Sequence, residues 1–464
     1  MSGIEMKKKI VIVGSGLAGT TVANELSKLF DVNIIERGDT GSYFIPSKQY
    51  ITRSFGSSPT YCIGEGGTTN LWHNGLIPIN PDYIEDVEFK QVLLDSKRYQ
   101  NESAYCLNYT SDYTRDIEER KNKYINLFEA FEFKHKFDTI LIPKCNPKLS
   151  VNRDVKIHFN SEIISISQVD GKVRNVQIKN RVTGGVKFLN CDFIIFCSGG
   201  IGTPSALSIL LGNHRSNGKL VDHPMGFVGK IKVKKQYAKL FKSLVNTDCG
   251  HMISRCGLVV DVEGYNHICY FRPAASMSNR LSLYKFKSKL ATSSWVDRFK
   301  MMFDRKFYHP DILLEIIMHI FGKQFGSRVF SLWFVFEQKP SKSCNSVSNI
   351  SPDTIDWNIS DYELANYSAT INKLVKNISF MTEKSNIVEC GLESYLWSAA
   401  HHSGSVGIGG EFGKVDSDLK LNGFENVYVC DASIINEHSY ANTGLTIGQF
   451  SIRLSHHLRD LVDL

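Results

Sequence analysis

The hydrophobic pattern opens on four consecutive apolar residues, Ile10, Val11, Ile12 and Val13, with lysines before them and glycines after. A run of that length bounded by glycine reads as a buried strand. A helical pattern follows to about Leu29, and a second apolar run, 32–35, ends at Glu36. The same form recurs at 193–196, which leads into Ser198-Gly199-Gly200, and in a strand ending at Asp431. The Thr203-Pro204 pair predicts a helix start, and a last helix is predicted from near Thr443. Strands alternating with helices predict an α/β fold with a parallel sheet.

Elsewhere the period is two. Residues 155–189 alternate, broken by the turn VDGKV at 169–173, and 227–275 alternate similarly. These predict antiparallel hairpins and the strands of a second sheet. Residues 360–385 read as a helix behind the capping stretch ISDYE at 359–363. The expected organisation is α+β overall. A discontinuous Rossmann-like domain takes 1–85, 140–226 and 386–464. A substrate domain of antiparallel sheet and helices takes 86–139 and 227–385.

Composition narrows the class. The chain has 464 residues, 42% hydrophobic and 22% charged, values ordinary for a soluble globular protein. Its 11 cysteines include no CxxC pair, so neither a disulfide framework nor a zinc site is expected, and no metal. Reduced thiols in a cytoplasm are the simpler reading. The opening MKKKIVIVGSGLAG imitates a secretory leader, but its apolar run is too short, and no apolar stretch of about 20 residues appears anywhere. The net charge is +7, much of it local: 285–306 holds seven Lys or Arg against Asp297 and Asp304. No nucleic-acid motif accompanies it, so nucleic acid is not an expected partner.

The first strand runs into Gly14-Ser15-Gly16-Leu17-Ala18-Gly19, the pattern GxGxxG in its strand–turn–helix–strand–acid setting. Gly14 permits a tight turn, Gly16 presents no side chain to a pyrophosphate, and Gly19 lets helix pack on strand. The helix N-terminus offers N–H groups to phosphate, and Glu36 stands where a carboxylate accepts from ribose hydroxyls. This motif alone does not separate FAD from NAD.

Further stretches do. GEGGTTNLWHNGLIP (64–78), CDFIIFCSGGIGTPSAL (191–207), VDHPMG (221–226), FEQKPSKSCNSV (336–347) and NVYVCDASIINEHSYANTGLTIGQFSIRLSHHL (426–458) occur in this order. Together with the opening they resemble the glucose–methanol–choline (GMC) family of flavin oxidoreductases; 230–385 does so only loosely. The resemblance implies FAD. Gly14, Ser15, Gly16, Gly19 and Glu36 would hold its ADP half. Gly66, Gly67, Thr68 and Thr69, with Asn70 beside them, would lie along the pyrophosphate and flavin. Ser198, Gly199, Asp431 and Thr443 would support it from later crossovers. Some relatives link the flavin to a histidine after the double glycine. That register falls on Leu71, which implies noncovalent FAD, with His73 close by.

The resemblance also bears on SAAHHSGSVGIGG, 398–410. It places a catalytic base at His401 and a second catalytic position at Asn442. An imidazole with its ordinary pKa of about 6.5 can take a hydroxyl proton. The flavin would take the hydride, Asn442 would hold the substrate oxygen, and the glycines of 404–410 would let the chain pass tightly around the flavin ring and then turn away. His402 either lines the pocket or fixes its neighbour. Gly407-Ile408, Asn436 and Thr443 depart from the family's usual residues. The expected activity is FAD-dependent oxidation of a CH–OH group in a small alcohol, sugar or lipid-linked sugar, passing electrons to an unidentified acceptor. A same-fold lyase and a non-catalytic flavin-binding partner protein are the alternatives.

One stretch stands apart. In 293–330 Trp295, Val296, Phe299, Met302 and Phe303 fall at helical spacing with basic residues around them. Burial in the core is the plainer reading. The other is peripheral contact with the inner face of a membrane.

Overall fold

A computed structural model describes residues 7–41, 43–44, 49–50, 61–72, 74–145, 149–212, 219–292, 295–321, 327–342, 345–347, 354–409 and 414–463. His73 and Gly410 lie outside them. Two sheets organise the chain. The first is parallel, in the order Val427–Val429, Phe193–Phe196, Lys9–Val13, Asp31–Ile35, Lys156–His158. Its central strand is fully buried at Ile10, Val11 and Ile12, which explains a continuous apolar run rather than an alternating one. Val13 pairs with Ile35 on one side and Phe196 on the other, and Phe196 pairs with Val429. The carboxyl ends of four strands therefore lie level, and Gly14, Glu36, Cys197 and Cys430 follow along one edge. That edge is where open α/β sheets bind ligands.

Helix Leu17–Leu26 leaves this edge and packs on the C-terminal helix Gly444–Asp463. The helix after the third crossover opens at Gly199, four residues before the expected Thr203. Pro204 therefore sits inside its first turns. Proline has no N–H to give to the carbonyl four residues back, at Gly200. The Ser405 hydroxyl donates to that carbonyl instead, at 2.6 Å. Left unpaired, a buried carbonyl would cost about 1–3 kcal/mol.

The alternating stretch 155–189 forms a meander of Ser161–Val169, Lys172–Asn180 and Val186–Asn190. The second large sheet is antiparallel and eight-stranded. Its main path is Thr247–Asp248, Met252–Val262, Tyr265–Ala274, Val329–Val335, Pro224–Val233, Thr382–Ile387; Phe137–Pro143 and Leu396–Ser398 pair at its margins. The alternating region 227–275 is interrupted by an amphipathic helix, Ala238–Val245. Strands Phe137–Pro143, Pro224–Val233 and Leu396–Ser398 all belong to the antiparallel sheet, so that layer extends past positions 140, 226 and 386. Residues 87–106, by contrast, form helices against the C-terminal helix of the dinucleotide side.

The period-two rule separates the faces of the large sheet. Phe330, Leu332 and Phe334 point to a core with Tyr367, Ile371 and Leu374 of helix Asp361–Asn377. That helix begins with a capping box, in which the Ser360 hydroxyl and Glu363 carboxylate satisfy each other's backbone N–H groups. The intervening positions Trp333 and Val335 line the cavity described below.

The segment after Thr292 does not enter the core. Trp295–Met301 and Pro310–Phe321 are helices, joined through the turn Arg305–Tyr308. Trp295 is 77% exposed and Phe303 79%, so burial of this apolar face, the plainer expectation, does not hold. Asp311 and Glu315 pair with Lys230 and Arg272 of the sheet, while Trp295, Phe299 and Phe303 face outward. The ten described cysteines are free thiols, and no group of metal-ligating side chains is found among the described residues. No described helix is long and apolar enough to cross a membrane.

Candidate functional site

A cavity of about 800 Å³ runs from the carboxyl edge of the parallel sheet to the inner face of the antiparallel one. At the first end stand Gly14, Ser15, Gly16 and Glu36, at its middle Gly67, Thr68, Thr69, Asn70 and Leu71, and beyond them His401, His402, Asn442 and Thr443. Ser198, Gly199 and Asp431 complete that wall. Gly19 and Gly66 are not on it. Gly19 is a packing glycine: a Cβ there would overlap the Gly14 carbonyl oxygen. Gly66, at φ 84°, opens the short helix Gly67–Leu71.

Glycine makes this end narrow. A Cβ on Gly67 would come within 3.2 Å of the Gly16 Cα, so two glycine turns face each other across bare backbone. Gly16 itself would meet only the Gly66 oxygen, at 4.0 Å, so its open side is the cavity. Two buried carboxylates hold these turns. Glu36 accepts from the Ser15 amide (3.0 Å) and hydroxyl (2.7 Å) with one oxygen, and from the Gly38 and Gly64 amides with the other. Asp431 accepts from the amides of Gly199 (2.8 Å) and Ser433 (2.7 Å) and from the Thr203 hydroxyl. Burial raises the Asp431 carboxyl, and these donors pull it back down. Glu36 thus reaches the cavity with its acceptor positions already engaged in fixing the loop.

The second end is built from histidines. Asp222, fully buried, accepts from the backbone amides of His223 (2.7 Å) and His401 (2.8 Å) and from the Ser398 hydroxyl. His402 Nε2 lies 3.7 Å from the same carboxylate. Burial lowers the His402 pKa, and Asp222 opposes that shift. His401 follows Ala400, which sits at φ 61°, a left-handed conformation uncommon for alanine.

The ring of His401 meets His223, Nδ1 to Nδ1, at 3.0 Å. His223 Nε2 lies 2.7 Å from the Ser439 carbonyl and also against His438 Nδ1. Burial holds His223 well below its ordinary pKa, with His438 and His401 adding to the effect, so its ring is neutral. With the Ser439 carbonyl as its acceptor, His223 carries the proton on Nε2 and the lone pair on Nδ1. His401 must then donate from Nδ1, which puts its own lone pair on Nε2. The tautomer follows from the network. Asn442 donates from Nδ2 to the Gly75 carbonyl at 2.8 Å, and a Cβ on Gly75 would displace that amide.

His223 and Asp222 were not singled out from the sequence, although VDHPMG was recognised as a landmark. A lone buried His beside an Asp carries no spacing signal. Of the two roles expected of the glycines after His402, the structure shows the turning away. Gly404, Gly407 and Gly409 all have positive φ and do not line the cavity. A Cβ on Gly404 would approach the Lys219 carbonyl at 2.8 Å, and one on Gly409 would overlap the Glu88 carboxylate. They turn the chain away through close backbone packing. Asn436 closes that turn, accepting from the Ile408 amide at 2.8 Å and donating to its carbonyl at 2.7 Å.

A dinucleotide cradle and a histidine-lined pocket on one cavity define a two-sheet flavin oxidoreductase. Residues 365–449, which span both His401 and Asn442, match the C-terminal domain model of the GMC oxidoreductase family. No curated protein matches the chain by sequence. Among solved structures it is similar to pyridoxine 4-oxidase from Mesorbium loti, at 13% identity and TM-score 0.60. It is also similar to an FAD-dependent oxidoreductase from Chaetomium thermophilum, at 13% and 0.59, and to a formate oxidase variant from Aspergillus oryzae RIB40, at 12% and 0.56. Each likeness covers 98% of this chain and 99% of the other, and at these identities it is one of fold. FAD is the cofactor typical of the family, and the facing glycine turns fit its pyrophosphate.

Two glycine substitutions should separate cofactor from fold. Gly16→Val fits the protein but enters the cavity, so the variant should keep its thermal midpoint as apoprotein and lose FAD binding. Gly19→Ala collides with Gly14 and should lower the thermal midpoint itself. Calorimetry with FAD titration checks both.

Proposed function

We propose that the protein oxidises the CH–OH group of a small-molecule alcohol, with His401 as general base. The observation that carries this reading is the relay from the Ser439 carbonyl through His223, which assigns the lone pair of His401 to Nε2. Nε2 would take the hydroxyl proton, and Asn442, anchored on the Gly75 carbonyl, would hold the substrate oxygen. Bound FAD supplies acceptance of the hydride from carbon. Gly14, Ser15 and Gly16 would hold its ADP half, on a loop that Glu36 fixes from behind. Gly67, Thr68, Thr69, Asn70, Ser198, Gly199, Asp431 and Thr443 would hold its remainder, with Gly19 and Gly66 shaping the turns. Asp222 positions both rings through backbone amides. The solved relatives named above act, by name, on pyridoxine and on formate, so fold likeness does not select the substrate. Sugars remain within the proposed alcohol class.

Anaerobic stopped-flow reduction of the holoenzyme by a panel of alcohols tests the assignment. His401→Ala should retain FAD and reduce about 10²–10⁴-fold more slowly. Asn442→Ala should slow it less, and His402→Ala least. A rate-limiting loss in His402→Ala with His401→Ala unaffected would reverse the roles.

The FAD is proposed to be noncovalent. Leu71, at the register of the linking histidine, offers no nucleophile, and the nearest histidine, His73, stands two residues off that register. Acid precipitation should leave intact FAD in the supernatant. A yellow pellet would show a covalent bond.

A further inference from the structure

Arg255 is a half-buried cation in the cavity wall. It lies on strand Met252–Val262, opposite Ile140 of the neighbouring strand, and lines the cavity with Tyr270, Trp333, Met225 and Val335. Its Nε is fixed by the Asn246 side-chain oxygen (2.9 Å) and the Val245 carbonyl (3.3 Å). The guanidinium carbon stands 5.6 Å from the Trp333 ring and 5.8 Å from that of Tyr270. No carboxylate pairs with it among the described residues. The charge nearest in effect is another cation, Arg272, and burial with that repulsion lowers the Arg255 pKa to about 10. Burying a charge without a counter-ion is costly, and two aromatic faces offset only part of that cost. Tryptophan and tyrosine beside a fork of N–H donors make a site for a planar or tetrahedral oxyanion.

We propose that Arg255 binds an anionic group of the substrate, a carboxylate or a phosphate, distal to the hydroxyl that is oxidised. This rests on the alcohol-oxidation reading for the identity of the cavity, and adds that the alcohol is acidic. Benzoate and phenyl phosphate are suitable probes, with benzyl alcohol as the uncharged control. Each is titrated into the holoenzyme and followed by the flavin difference spectrum and by calorimetry. At least one anion should bind, and Arg255→Gln should weaken it about tenfold or more, as expected for loss of charge-assisted hydrogen bonds. Benzyl alcohol should be unaffected. Arg255→Lys, which keeps the charge without the fork, should fall between them and guards against a folding defect in the first variant. The tighter anion identifies the group. Anion binding equal in all three proteins, or absent from the wild type, overturns the proposal. If anions bind through Arg255 but no alcohol reduces the flavin, the site stands and the alcohol reading falls.

A different observation carries a second inference. Of the 24 large hydrophobic residues exposed among the described ones, ten lie between Trp295 and Phe321. They include Trp295, Phe299, Phe303, Ile320 and Phe321. The segment is held as a unit: Phe286, Met301 and Ile312 form its own small core, Asp311 pairs with Lys230 at 2.5 Å, and Glu315 takes Arg272 (2.7 Å) and Lys287. Exposed Trp and Phe among Lys and Arg are the composition of a surface that enters a lipid interface. Residues 295–321 are themselves balanced, with four Lys or Arg against four Asp or Glu, but the stretch 285–306 that leads into them carries a net charge of +5, which would draw this face to an anionic bilayer.

We infer that Trp295–Met301 and Pro310–Phe321 dock on an anionic membrane surface. The full-length holoenzyme should sediment with phosphatidylglycerol-containing vesicles at low salt, less at high salt, and little with pure phosphatidylcholine. A Trp295→Ser, Phe299→Ser, Phe303→Ser variant that retains FAD should bind roughly tenfold or more weakly. Protein remaining in the supernatant at low salt, or a variant that sediments equally, overturns the inference. Self-association in the ultracentrifuge that this variant abolishes, without vesicle binding, gives the face to a second copy instead.

Discussion

The reacting end of the molecule depends on one buried carboxylate. Asp222 joins two segments 179 residues apart by accepting from the amides of His223 and His401. It lies where the chain enters the antiparallel sheet, just before Pro224–Val233, while His401 follows the strand that pairs with it there. The backbone positions of both rings are set before any substrate arrives. Asp222 thus fixes the backbone of both histidines through amide hydrogen bonds. The Ser439 carbonyl then sets which ring nitrogens carry hydrogen. Position and tautomer thus come from different elements, and a change in either would disarm the same ring.

The nucleotide end follows a similar rule. Glu36 and Asp431 are buried carboxylates at the carboxyl ends of parallel strands, and each gathers backbone N–H groups into a turn. Charge-assisted hydrogen bonds of this kind are about twice as strong as neutral ones. They hold glycine turns that would otherwise be the most mobile parts of the fold. The result is a cradle whose shape is set before a dinucleotide enters it, which limits the ordering cost of binding.

Much of this was legible in the sequence because local pattern and local physics coincide. Ile10 to Val13 reads as a buried strand since a strand covered on both faces has no polar position to spare. Gly14, Gly16 and Gly19 are spaced by the turn that they make. Where a residue acts through a distant partner, the sequence is silent. His223 works through Ser439, 216 residues away, and nothing near it announces that. The turn made by the glycines after His402 was legible but its neighbours were not, because positive φ and close approach look alike whether the neighbour is a cofactor or the protein's own backbone. Pro204 pointed to a helix start and lies inside one, since Ser405 replaces the missing donor. The apolar stripe at Trp295 has the same periodicity whether it faces a core or a lipid surface, and only packing decides between them.

One face of the large sheet connects these sites. Along Val329–Val335 the alternate positions Val335, Trp333 and Ser331 step outward from the histidines. Across from them on the neighbouring strand stand Ile268, Tyr270 and Arg272. Val335 and Trp333 line the cavity with Tyr270, while Arg272 meets Glu315 of the helical segment. Phe227, opposite Trp333 on the other side, stacks on it at 6.1 Å and on Tyr284 at 5.4 Å, the latter with planes 6° apart. Tyr284 belongs to helix Leu281–Thr292, at the base of that segment. The aromatic wall beside Arg255 is therefore continuous with the anchor of the exposed helices. Stacked rings on a hydrogen-bonded sheet are stiff and close-packed. A shift of Leu281–Thr292 would reach Trp333 through only one intervening ring, which couples the outer segment to the width of the cavity by direct contact.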